Sequence, residues 1–416
     1  MVRGRTSEER YIRKRLREAR NGARAFCRCR KYPIDEKKIV FMNIEGTVGY
    51  GCNPKYICEE MRRRNVLRRE NGETPYDLVW LVDDTSLSFP DDVRVVKNTL
   101  KNRVYELSTA AVWVDNSRKQ LEVRKRPGQF YMQTWHGMIG LKPTGLDRGA
   151  SFSRIAYIVS KHDSDMVDVM LSNSDFRDAR LPQGMLYDGR ILKIGSPRND
   201  VLVRHDPAVR AAVRARYGLR PDDRILMYAP TFRGGSQKTE RAIDKPAHAP
   251  DFERVIFNMK KRFGGEWYIF LRLHPQLTAR HIGLEIDGGH LIDVSREPDM
   301  YETLAACDAF ISDYSASIFD AAVMGIPIFL YVDDYRDYIR ERGSLLIDFN
   351  DLPFPFAADD DDLASCFATF DEDKYRTGLM EMMKDFGVIE HGDASRKAAD
   401  EIISHMEKYR QRGVVS

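Results

Sequence analysis

Thr231 and Arg233 follow the apolar run RILMYAP, Arg272 and His274 close WYIFLRLHP, and Ser315 and Ser317 sit in SDYSAS just after AFI. Hydroxyl, guanidinium and imidazole groups at the ends of successive apolar runs are the means to hold an anion. A helix opening near Ser315 would add its unpaired backbone N–H groups. Diphosphate is the ligand that such a set suits. A serine in that place also caps a helix with no ligand present, so the reading depends on Arg233, Arg272 and His274 converging on the same edge. His136, in QTWHG after the apolar FYM, offers something else. An imidazole that titrates near neutrality can deprotonate a hydroxyl within hydrogen-bond reach, although a lone histidine is as readily structural.

The elements that must position these groups alternate along the chain. From residue 38, short β-branched and aromatic runs (KKIVFMNI, YDLVWLVDD, AVWVDN, GQFYMQTWHG) are separated by helical stretches, the order of a parallel sheet with crossover helices. NPKYICEEMRRRN reads as a helix opened by Asn53 with Pro54 at its first position. The pattern restarts after HDPAVRAAVRARYGLRPDD with RILMYAPTF, WYIFLRLHP, LIDVS, AFISDYS and PIFLYVDD. The spacing therefore predicts an α/β chain of two doubly wound, Rossmann-like domains, over 38–205 and 206–390, and a closing helix over 391–416 capped by Asp393. The polar segment 234–250 reads as a surface loop.

At 416 residues the chain has room for two cores, and no window carries the ~18 consecutive apolar residues of a membrane span. Cys27, Cys29, Cys52, Cys58, Cys307 and Cys366 form no CxxC pair, which fits a reducing cytoplasm and no structural zinc. The glycines of GTVGYG do not make GxGxxG, so a dinucleotide cofactor is unsupported. We expect neither a metal nor a cofactor. Net charge is only +3, yet residues 1–37 are basic, with Ile12, Leu16, Ala19, Ala23 and Phe26 in one thin stripe. Such a helix could lie on an anionic membrane or pack on the body of the protein; nucleic acid is a poorer partner, because no basic stripe with interleaved aromatics follows.

At these residues the chain resembles the CDP-glycerol glycerophosphotransferase family, which primes or polymerises wall teichoic acids and related capsule polymers. The resemblance covers most of residues 38–385 and rests on ordered motifs: GTVGYGCNPKYI, QTWHG, GSPRNDVL, YAPTFR, LRLHP, ISDYSASIFDAAVMGIPIFLY and DDYRDYIRERG. It implies the GT-B fold, two Rossmann-like domains facing across a cleft. It also implies that His136 is the catalytic base and that His274 assists at the donor diphosphate. Thr231, Arg233, Arg272, Asp313, Ser315, Ser317 and Asp320 are then the expected donor set. Gly46, Asn53, Trp135, Gly137, Lys142, Arg198 and Asn199 are expected on the acceptor or interdomain side. Ser196 stands where the family has an aromatic, and MIG follows His136 where threonine-proline is commoner, so the polyol and the acceptor are the open points.

The implied reaction is attack of an acceptor hydroxyl on the β-phosphorus of CDP-glycerol with loss of CMP. The implied acceptor is a glycan or polymer on undecaprenyl diphosphate, met by an enzyme on the cytoplasmic face of the membrane. CDP-ribitol is the rival donor. A GT-B nucleotide-sugar glycosyltransferase or epimerase would share the anion turn but calls for a carboxylate at the sugar ring, and a catalytically silent CDP-binding protein would show no CMP release.

Overall fold

The computed structural model describes residues 7–231, 249–273, 289–342 and 344–414, and these form two compact units. The first takes the described residues up to Met138, Thr144–Asp200, and those from Ile389 onward; the second takes Ile139–Pro143 and Val201–Val388. Backbone contacts thus divide the chain at Asp200/Val201, five residues before the expected boundary, and assign the closing helix to the first unit.

The first unit is built on a seven-stranded sheet of β1 (Asp35–Met42), β2 (Asp77–Val82), β3 (Arg94–Lys97), β4 (Ala110–Asp115), β5 (Phe130–Gln133), β6 (Val169–Ser172) and β7 (Ile191–Lys193). Its order is β3-β2-β1-β4-β5-β6-β7, and every pairing is parallel. A parallel sheet is covered on both faces, so the alternation along each strand feeds two cores. Ile39 and Phe41 face one core with Trp80, Val112, Val114 and the closing-helix residues Ala398, Ala399, Ile402 and Met406. Val40 and Met42 face the other with Leu81, Trp113, Tyr131 and Phe26 of the Ser7–Cys29 helix.

That last contact shows the basic helix packed on the body of the protein. Ile12, Ala19, Ala23 and Phe26 are buried, and the helix packs against the Leu100–Thr109 helix. The apolar stripe is therefore spent on the protein's own interior, where a fully buried aliphatic or aromatic side chain contributes about 1.5–3 kcal/mol, and is not free to enter a bilayer. Arg10, Arg13, Lys14, Arg17, Arg20 and Arg24 remain exposed on the outer side. No helix among the described residues is long and apolar enough to cross a membrane.

The second unit repeats the plan with β8 (Arg224–Tyr228), β9 (Trp267–Leu271), β10 (Leu291–Asp293), β11 (Ala309–Ser312), β12 (Ile328–Tyr331) and β13 (Phe356–Ala357), ordered β10-β9-β8-β11-β12-β13 and parallel. Renumbered from its own first strand, this is the 3-2-1-4-5-6 order that the first sheet also follows before adding one more strand. Each order reverses once, between β1 and β4 and between β8 and β11. Those reversal points are where open α/β sheets bind ligands. The 234–250 loop lies, apart from its last two residues, outside the described residues.

Candidate active site

His136 stands just past β5, beside the reversal point of the first sheet. Its Nδ1 lies 2.6 Å from the carbonyl oxygen of Asn116, the residue after β4. A carbonyl only accepts, so Nδ1 carries the proton and the other ring nitrogen, Nε2, keeps its lone pair as a base. Asn116 is fixed in turn. Its side chain donates to Asn43 Oδ1 at 2.7 Å and accepts from Ile44 N at 2.8 Å, tying the loops after β1 and β4 together. Asp115 accepts from Asn116 N, Ser117 N and Ser117 Oγ and pairs with the buried Lys119 at 2.5 Å.

The QTWHG loop is held from a second direction. Trp135 adopts φ 52°, a left-handed conformation that costs a residue with a side chain about 1–3 kcal/mol and that must be imposed by its surroundings. Asn53 imposes it. Its Nδ2 donates to the Thr134 and Trp135 carbonyl oxygens at 3.3 and 2.9 Å, while its Oδ1 accepts from Ser196 Oγ at 3.0 Å and Arg198 N at 3.1 Å. The expected capping role of Asn53 is thereby corrected. The helix runs Cys52–Glu70 with Gly51 at its cap, and the Asn53 amide is buried as a clamp inside the first turn. Arg198 Nη1 completes the clamp on the His136 carbonyl oxygen at 2.7 Å.

The imidazole sits among cations. It stacks on Trp135 at 4.4 Å between ring centres, and the Arg118 guanidinium lies 4.7 Å from the same indole. Loss of surrounding water lowers the His136 pKa to about 4, with Arg198, Arg118 and Arg177 acting in the same direction and the Asn116 carbonyl opposing. His136 is nevertheless exposed on one side, so its desolvation is partial and the charges of Arg198, Arg118 and Arg177 add to it. The direction is clear: the ring is neutral at ordinary pH.

Other expected residues of the first unit have structural employment. A Cβ on Gly46 would meet Asn98 Nδ2 at 2.6 Å, and its φ of 88° suits only glycine. Asn199 donates to Glu390 Oε1 at 3.0 Å, and Glu390 also accepts from Ser196 N and Asn173 Nδ2. Gly137 directly follows the bend at His136.

In the second unit the reversal point joins Thr231, after β8, to Asp313, after β11. Thr231 N donates to both Asp313 oxygens at 2.9 and 2.8 Å, and the Thr231 hydroxyl donates to the same carboxylate. Ser317 donates through its hydroxyl to Ser315 Oγ at 2.8 Å and through its N–H at 3.3 Å. The helix expected to open at Ser315 runs Ser317–Ala322 with Ala316 at the cap position and no side-chain cap. Part of the turn's hydrogen-bonding capacity is thus used internally. Arg272 Nη1 donates to the Val294 and Glu297 carbonyl oxygens at 2.7 and 2.6 Å, and burial pushes its pKa down. Asp320 is buried and accepts from the Tyr301 hydroxyl at 2.9 Å, which makes it a support for the turn from beneath. Arg233 and His274 lie outside the described residues. A cavity of ≈ 610 Å³ beyond β12 is lined by Asp333, Asp334, Asp337 and Asp348 among others, a charge that opposes a diphosphate.

The model of the family CDP-Glycerol:Poly(glycerophosphate) glycerophosphotransferase matches residues 24–404. The chain belongs to this family. Among relatives of this glycerophosphotransferase family member, the teichoic acid poly(glycerol phosphate) polymerase of Staphylococcus epidermidis (strain RP62A) is 27% identical, over 88% of this chain and 50% of that protein. The protein of the same name from Bacillus spizizenii (strain W23) is 26% identical, over 89% and 93%. A teichoic acid poly(ribitol-phosphate) polymerase of that organism is 26% identical, over 91% and 58%. The chain thus spans about half of the first of these relatives and nearly all of the second. The solved structure of the wall teichoic acid polymerase TagF matches with a TM-score of 0.76 at 25% identity, over 97% of this chain and 99% of that one. Together with the two doubly wound sheets, this places the family member in the GT-B fold class.

Lys142, expected on the acceptor or interdomain side, lies in the short Ile139–Pro143 segment that groups with the second unit, where its ammonium lies 5.7 Å from the Tyr338 ring centre and the neighbouring Leu141 carbonyl accepts from Leu346 N. Three residues of the site escaped the sequence reading: Asn116, Arg118 and Arg177. Arg118 and Asn116 stand in DNSR at a strand end, which is a signal of place; Arg177 carries none.

Proposed function

We propose that the chain transfers glycerol phosphate from CDP-glycerol to a hydroxyl of a lipid-linked glycan or polyol-phosphate acceptor, releasing CMP, in the synthesis of a teichoic acid or capsule-like polymer. The observation that carries this reading is the tautomer of His136, a neutral ring whose Nδ1 is committed to Asn116 and whose Nε2 is left to accept a proton. Nε2 takes the proton of the acceptor hydroxyl as its oxygen attacks the β-phosphorus. A phosphorus–oxygen bond forms, the bond from that phosphorus to the bridging oxygen breaks, and CMP departs with the bridging oxygen's electrons. Phosphoryl transfer asks a protein mainly for positioning and for charges facing the leaving group. We assign the donor diphosphate to the second unit, with Thr231 and the Ser315/Ser317 turn as hydrogen-bonding groups and Asp313, Asp320 and Arg272 as the groups that shape them. His274 and Arg233 are assigned to the leaving phosphate on their motifs alone.

The test is CMP release on mixing the protein with CDP-glycerol and a soluble analogue of an undecaprenyl-diphosphate-linked acceptor, with product mass read alongside. Absence of CMP with CDP-glycerol and with CDP-ribitol would overturn the reading. Ribitol phosphate transfer is the second reading, favoured by the likeness to a poly(ribitol-phosphate) polymerase, and preference for CDP-ribitol in the same assay would select it.

A cytoplasmic, peripheral place at the inner membrane face belongs to the same proposal. With the apolar stripe turned inward, the exposed Arg13, Arg17, Arg20 and Arg24 would hold the anionic surface by charge alone, each worth about 1 kcal/mol. Reversing these four to glutamate should abolish salt-sensitive co-sedimentation with anionic vesicles; unchanged co-sedimentation would end this part.

A further inference from the structure

Two guanidiniums whose charges reach His136 have no task in the mechanism above. Arg177 is buried in the short Asp175–Asp178 helix after β6, and among the described residues its Nη2 contacts the Met170 sulfur, at 3.6 Å. Arg118, after β4, has its Nη2 3.7 Å from the Met185 sulfur and its guanidinium over Trp135. The Nε of each is buried without a hydrogen-bond partner among the described residues. Met170, Met185 and Trp135 belong to one apolar cluster, so both cations border the same wall. Asp163 and Asp178 influence these charges without hydrogen-bonding to them; Asp163 accepts from Lys119 N and Tyr131 OH, and Asp178 lies 3.6 Å from Lys193.

A buried guanidinium facing thioethers is an expensive arrangement, because sulfur accepts hydrogen bonds poorly and the charge has left water. An oxyanion would offset that cost, and the planar fork of arginine suits a phosphate best. We propose that Arg118 and Arg177 form a phosphate subsite next to His136, and that it takes the phosphodiester adjoining the attacking hydroxyl of the acceptor. The acceptor class is then a polyol-phosphate chain end and not a bare sugar. This rests on the functional reading above and adds the chemistry of the acceptor to it. Arg118 and His136 touch the same indole, so a phosphate on one and a hydroxyl on the other belong to one short fragment of a chain. The arrangement also couples binding to basicity. The guanidiniums that hold His136 neutral are the ones an incoming phosphate would neutralise, so the base gains strength when its substrate is in place.

The experiment compares initial rates at saturating CDP-glycerol on two acceptors that differ only in a terminal glycerol phosphate unit. It uses the wild type, Arg118→Met, Arg118→Lys and Arg177→Lys. With Arg118→Met, kcat/KM on the phosphate-ended acceptor should fall about 10- to 100-fold, mostly through KM, and by at least about tenfold more than on the sugar-ended one. KM for CDP-glycerol should hold, and Arg118→Lys should recover part of the loss. Equal losses on both acceptors, or a rise in the CDP-glycerol KM, would overturn the proposal, since the arginines would then serve the transferred phosphate or the fold. If the wild type releases no CMP with either acceptor, it is the functional reading that fails. The subsite is then decided by binding. sn-Glycerol 3-phosphate should raise the Tm of the wild type and not that of Arg118→Met, and no rise in the wild type would refute the subsite.

Discussion

The two sheets run in the same order and both gather polar side chains where that order reverses, yet the two places are furnished differently. In the first unit a neutral imidazole is held by the Asn116 carbonyl, and the charges of three arginines act on it. In the second, a carboxylate grips a threonine and two serines share a proton donor and acceptor. The fold supplies the location, and the residues ending the strands supply the chemistry. One site is arranged around a base and the other around hydroxyls on a braced turn. Substitutions at the first should therefore act on turnover, and those at the second on donor affinity.

The sharpest way to break this contrast is His136→Ala. Loss of a positioned base typically costs ~10²- to 10⁴-fold, so kcat should fall by that much with the CDP-glycerol Kd nearly unchanged by calorimetry. Comparable loss of donor binding would erase the distinction between the two sites. Asn53→Ala comes next. It removes four hydrogen bonds from a buried clamp, so we expect a stability loss of about 2–3 kcal/mol in urea melts and about a 10- to 100-fold lower kcat as the Trp135 backbone relaxes. A full drop in stability with unaltered kcat would show that the loop is shaped by something other than Asn53. In the second unit, Asp313→Ala should raise the CDP-glycerol KM about tenfold and touch kcat less, because it frees Thr231 without removing a reacting group. A kcat effect larger than the KM effect would place Asp313 closer to the reaction than a brace.

The central strands were legible because period-2 alternation of large apolar residues, as in Ile39-Val40-Phe41-Met42, feeds two buried faces at once. Edge strands β3, β7 and β13 were not, since RVVK, ILK and FA bury little and carry no alternation. His136 could be read from its place after an apolar run. Its tautomer could not, because that depends on the Asn116 carbonyl, twenty residues away in sequence. Amphipathicity announced that the Ser7–Cys29 helix buries one side without saying against what, and the Leu100–Thr109 helix and the sheet proved to be the answer. Arg177 was invisible for a simpler reason. Arginine belongs on surfaces by default, and only the three-dimensional wall of Met170, Met185 and Trp135 reveals that this one is inside.

The smallest expected effect concerns proton affinity, and it refines the contrast most finely. The His136 pKa is lowered from 6.5 to about 4, and a base works only when neutral. Activity on soluble donor should therefore persist as pH falls through 6.5, and the acid limb of kcat/KM, which reports the free enzyme, should appear near 4. The same shift has a stability consequence with a definite sign. The unfolded ring binds its proton near 6.5 while the folded ring stays neutral to about 4, so this group's contribution is full above 6.5 and is lost as pH falls from there toward 4. Arg118→Met removes one of the cations that oppose protonation, and its acid limb should move upward relative to the wild type. A wild-type limb at 6.5, or one that ignores the arginine, would mean that the guanidiniums do not act on the imidazole, and the chemical difference between the two reversal points would reduce to the identity of their side chains.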